Sequence, residues 1–93
     1  MRLKSAREAA GLSQKELGMT AGLDQFVAST RINRYEKGIH EADVQTAARL
    51  AQALNVPLAY LYCGDERLAR AILAFSRLSR EKQDALLREM EPK

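Results

Sequence analysis

An all-helical fold is predicted by three features of the chain. Its apolar content rests on Ala and Leu, with Phe26, Tyr35, Tyr60, Tyr62 and Phe75 as the aromatics and no Trp, a composition for closely packed helices. Apolar residues recur at helical spacing, and the stretches that carry them are bracketed by capping residues or glycine stops. No stretch alternates apolar and polar residues as a half-buried strand does. At 93 residues the chain makes one small domain with a modest core.

The elements follow in order. Leu3, Ala6 and Ala10, then Gly11, predict a short first helix with a glycine stop. Ser13 opens the second, and Glu16 three residues on completes a capping box. Leu17 and Ala21 share one face of that helix, which ends at Gly22. The third passes through Ile32 and Tyr35 to a stop at Gly38. Asp43 caps a fourth, whose Val44, Ala47, Ala48, Leu50, Ala51 and Leu54 form a wide apolar stripe. Asn55 suits a left-handed ending, and Pro57 suits the first turn of a short fifth helix, "PLAYLY". After the junction Cys63-Gly64-Asp65, a sixth helix capped by Asp65 carries Leu68, Ala71, Ile72 and Phe75. A seventh, capped by Ser79, carries Leu86, Leu87 and Met90.

Composition narrows the function classes. No segment approaches the length of a membrane span, and Met1-Arg2-Leu3-Lys4 leads into polar helix, so a cytoplasmic protein with no membrane partner is expected. Cys63 is alone, which rules out an internal disulfide and any Cys/His metal cluster. It is expected to be a small buried hydrophobe. With a single His and no paired carboxylates off the exposed helix faces, no catalytic constellation forms, and neither an enzyme nor a cofactor is expected. His40, a lone loop histidine, is expected to be inert. The net charge of +3 is mild, but residues 1–40 hold seven Lys or Arg against four Asp or Glu. The basic excess therefore lies in the N-terminal segment, where nucleic acid is the candidate partner.

On a helical wheel with Ile32 facing the core, Ala28, Tyr35 and Glu36 fall on the inner side of the third helix. Thr30, Arg34 and Lys37 point outward, with Ser29 and Asn33 on one flank and Arg31 on the other. Hydroxyl, amide and guanidinium groups are the chemistry that reads base edges: Arg forks onto guanine, Asn onto adenine, Ser and Thr onto either. Ser29, Thr30, Asn33 and Arg34 are the candidate base readers.

The string Arg7…Gly11-Leu12-Ser13-Gln14…Leu17…Ala21-Gly22-Leu23…Ile32-Asn33-Arg34-Tyr35-Glu36-Lys37-Gly38, continuing through "ARLAQALNVPLAYLY", resembles the helix-turn-helix family of phage repressors and Cro. The likeness spans roughly residues 2–62. It implies a five-helix repressor-like DNA-binding domain over residues 1–64, with residues 65–93 as a two-helix C-terminal extension. It further implies a sequence-specific transcriptional regulator, a repressor acting as a homodimer on palindromic double-stranded DNA. The apolar stripes of residues 65–93 either fold back on the domain or pack against the same helices of a second chain, and the need for two linked reading heads favours a dimer made through residues 65–93. Gln14 falls where relatives bind a phosphate and support the reading helix. Arg31 and Lys37 join it as candidate phosphate contacts. Arg7 and Glu36 occupy positions that form an internal ion pair in related proteins. The rival reading is a protein-interaction module, antitoxin-like or scaffold, with DNA binding secondary or lost.

Two stretches depart from the family pattern. The segment after Gly38, "IHEAD", is poorer in basic residues than in many relatives. The interval from Leu23 to Ile32 is longer than in the shortest members, the extra residues being Asp24 to Val27. Either Asp24 caps a third helix that begins a turn early, with Phe26 and Val27 partly buried, or these residues lengthen the turn and Ser29 caps a helix of normal length. Phe-Val-Ala-Ser is a poor helical opening beside Ser-Thr-Arg-Ile, which leans toward the longer turn.

Overall fold

A computed structural model describes residues 1–92 as seven helices, with no strand among them. They are α1 (Leu3–Ala9), α2 (Gln14–Thr20), α3 (Ala28–Glu36), α4 (Val44–Leu54), α5 (Leu58–Tyr62), α6 (Glu66–Ser76) and α7 (Arg80–Met90).

Local chemistry explains most of the boundaries. The Ser13 hydroxyl accepts from the Glu16 amide while the Glu16 carboxylate accepts from the Ser13 amide, a complete capping box at α2. Asp43, Asp65 and Ser79 cap α4, α6 and α7 by accepting from the amides of Thr46, Leu68 and Lys82. Asn55 closes α4 in the left-handed region at φ 56°. Gly22, at φ 91°, lets the Leu23 amide reach back to the Gly18 carbonyl at 2.9 Å, so the chain leaves α2 sharply toward α3.

The core is assembled from one fully buried large residue of each of the first five helices: Leu3, Leu17, Ile32, Leu50 and Leu61. Ala6, Ala21, Tyr35, Ala51 and Leu54 complete it. On α4 the buried face is narrower than the sequence stripe, because Val44 and Ala48 are exposed while Thr46 is buried. Where α2 meets α3, a Cβ on Gly18 would stand 2.6 Å from the Ala28 Cβ. Glycine is therefore what permits so close a crossing.

The C-terminal helices behave differently from the first five. Helix α6 packs beside α5 and buries Ala69, with Ile72, Leu73 and Phe75 half-buried. Leu68 and Ala71, expected on its buried stripe, are exposed. The buried wheel position is therefore that of Ala69. Arg2 ties α6 to the N-terminus: its Nε donates to the Cys63 carbonyl at 2.8 Å, Nη1 pairs with Glu66, and the guanidinium lies over the Tyr60 ring. Helix α7 buries no residue. It is joined to α6 by a bond from Gln83 Nε2 to the Phe75 carbonyl, and the molecule is elongated, 51 × 23 × 22 Å. No described helix is long and apolar enough to cross a membrane.

Candidate nucleic-acid interface

Helix α3 buries Ala28, Ile32, Tyr35 and the Glu36 side chain, and turns a polar face outward. Ser29, Thr30, Arg34 and Lys37 are exposed, and Asn33 is half-buried between the inner and outer faces. A hydroxyl pair, an amide, a guanidinium and an ammonium thus line one surface of a helix whose back is fixed in the core. Arg31, also exposed, is not free to wander: its Nη2 donates to the Tyr35 hydroxyl at 2.7 Å and its guanidinium lies 5.7 Å from that ring's centre.

Three side chains hold the C-terminal end of α3. Arg7 grips Glu36 with two bonds, from Nε to Oε2 at 2.7 Å and from Nη2 to Oε1 at 3.3 Å. The pair is deeply placed, with side-chain exposures of 14% for Arg7 and 4% for Glu36. Hydrogen bonding to the carboxylate raises the Arg7 pKa above its already basic ordinary value, so the guanidinium keeps its charge. Arg7 Nη1 also donates to the Leu12 carbonyl at 3.0 Å. Gln14 completes the group, its Nε2 donating to Glu36 Oε1 at 3.1 Å. The first residue of α2 is thereby tied to the last residue of α3. Gln14 keeps its second amide N–H, the group with which it can meet a phosphate.

The segment Asp24–Val27 forms a turn rather than an early start to α3. Asp24 Oδ1 accepts from the Phe26 amide at 2.8 Å, and the Asp24 carbonyl accepts from the Val27 amide at 3.1 Å. Ser29 does not cap the helix, which opens at Ala28 with Val27 in the cap position and no side-chain cap. Burial of Ala28 against Gly18 sets that start, leaving Ser29 in the first turn and exposed. Phe26 and Val27 are exposed, so burial does not anchor the turn. Two expectations elsewhere are also corrected or refined: Cys63 is half-buried, not buried, and His40 is exposed. Among the described residues no group of His, Cys, Asp and Glu is placed to hold a metal.

Sequence reasoning missed the Gly18–Ala28 contact, the Leu12 carbonyl that Arg7 engages, and the exposure of Phe26. A glycine inside the second helix was the available sign of the first; the other two depend on long-range packing.

Comparison with known proteins agrees with this geometry. Residues 3–61 match the helix-turn-helix family. A solved structure titled "Crystal structure of transcriptional regulator BswR" is similar over 96% of this chain and 88% of that chain, at 48% identity and a TM-score of 0.90. No curated protein matches. The family match takes in α1 to α3, the Arg7–Glu36 clamp and the core behind the outer face of α3, and the chain belongs to the helix-turn-helix family.

Proposed function

We propose that this helix-turn-helix protein, a DNA-binding transcriptional regulator, acts as a repressor that binds a palindromic operator as a homodimer. One observation carries the proposal: α3 presents Ser29, Thr30, Asn33 and Arg34 on its outer side while Arg7 and Gln14 fix its far end through Glu36. Readout needs donors and acceptors held in place before the DNA arrives, and this helix supplies both. Lys37, Arg31 and Gln14 border the same surface and take the phosphate contacts. Support for the dimer comes from α7, which leaves Leu87 and Met90 exposed on a helix with no buried residue. Residues 1–64 act as the reading head and 65–93 as the dimerising extension. Repression follows from occupying a promoter and excluding polymerase.

Selection of bound duplexes from random DNA by the full chain tests this directly. The expected product is a palindrome with half-sites about one helical turn apart, ~34–36 Å, bound with an affinity that falls steeply with salt. Arg34→Ala should cost ~1–3 kcal/mol on that site and relax preference at one base pair. Gln14→Ala should weaken all sequences about equally. If no motif emerges and binding is indifferent to salt, the protein-interaction reading takes its place.

A further inference from the structure

The turn between α2 and α3 carries a side chain that the clamp and the reading face leave unexplained. Phe26 is 86% exposed, more than any other large hydrophobic residue among those described. Its backbone is well held. The Asp24 carboxylate and carbonyl accept from the Phe26 and Val27 amides, and the Val27 carbonyl accepts from the Arg31 amide at 2.9 Å. The turn therefore runs into α3 without a flexible joint. Phe26 lies in the turn two residues before α3 begins, next to the N-terminal end of the helix that carries Ser29 and Thr30. In helix-turn-helix docking that end is the one pressed against base edges.

A phenyl ring offers no donor or acceptor, so it cannot read the hydrogen-bonding pattern of a base pair. The apolar group on the major-groove edge is the thymine 5-methyl, and an aromatic ring is a suitable partner for it. We propose that Phe26 is an additional specificity-determining residue, packing against a thymine methyl at the edge of each half-site, beyond the base pairs read by Ser29 and Thr30. The assignment rests on α3 being the DNA-reading helix.

The test uses the full chain and the operator returned by selection. Each thymine in a half-site is replaced in turn by deoxyuridine, which removes the methyl and keeps every hydrogen bond. At one edge position the unsubstituted protein should bind the deoxyuridine duplex about fourfold more weakly, the worth of one buried methyl-sized group. Phe26→Ala should bind both duplexes equally at that position, and Phe26→Leu should keep part of the discrimination. Circular dichroism of both variants should match the parent, since Phe26 lies outside the core. If the parent and Phe26→Ala respond alike at every thymine, the proposal fails while the DNA-reading assignment stands. If the parent binds no duplex selectively, both fall.

Discussion

Glu36 has both carboxylate oxygens engaged, by Arg7 on one side and by Arg7 and Gln14 on the other. Removing one partner of such a buried pair strands a charge, a loss of ~3–5 kcal/mol when burial is deep. Arg7→Ala and Glu36→Ala should each approach that range in urea unfolding, and Glu36→Ala also releases Gln14. The double variant should lose clearly less than the two single losses combined, because neither charge is then left unmatched. Simple additivity across the cycle would show that the pair contributes no coupling. Arg7, Gln14 and Glu36 were all legible as candidates because the motif surrounding them is distinctive. Their joining into one cluster was not, since it requires α1, α2 and α3 to meet at the same point.

At the scale of helices, the α2–α3 crossing depends on Gly18. In an isolated helix Gly18→Ala would be favourable by ~1 kcal/mol. Here the added Cβ would lie 2.6 Å from the Ala28 Cβ and 3.0 Å from its Cα, so α3 must move. We expect a net destabilisation of ~1–3 kcal/mol, typical of overpacking, and weaker selective DNA binding, with Ala28→Gly recovering part of the stability in the double variant. A gain in thermal stability from Gly18→Ala alone would contradict this geometry. The caps make a second, pH-dependent contribution. Bonds from the Ser13 amide and hydroxyl hold the Glu16 carboxyl below its ordinary pKa, and the Thr46 amide does the same for Asp43. Both release their protons more readily folded than unfolded, so their stabilisation is full above the ordinary carboxylate range and is lost as pH falls through the depressed folded values. The melting temperature should therefore decline on acidification below about pH 4. Asp43→Asn, which keeps a capping oxygen without the charge, should decline less steeply. An unchanged slope would remove Asp43 from the account.

For the whole molecule the open question of assembly falls on α7. Leu87 is 38% exposed and Met90 67%, and no residue of that helix is buried in the single chain. A homodimer through this face predicts that the full chain sediments as a dimer at high micromolar concentration. Leu87→Glu combined with Met90→Glu should give a monomer of unchanged helix content, because neither side chain belongs to the core. That monomer should bind the full palindrome far more weakly while keeping the same base preferences. A dimer that survives the double change would place the interface elsewhere and leave the proposed role of α3 untouched.

The sequence by itself determined what depends on near neighbours along the chain. Ser13, Asp43, Asp65 and Ser79 announce helix starts because a cap acts within three residues, and Gly22 and Gly38 announce stops because only backbone at positive φ can turn there cheaply. The inward positions of Leu17, Ile32 and Leu50 follow from periodicity for the same reason. Tertiary structure decided what depends on which faces meet. Periodicity on α6 marked Leu68 and Ala71, yet Ala69 is the residue buried, because several faces of that helix are apolar and the neighbour α5, together with the Arg2 tie, selects among them. The residues Asp24 to Val27 allowed two local conformations of similar merit. The close approach of Ala28 to Gly18 chose between them, and in doing so left Phe26 exposed ahead of α3.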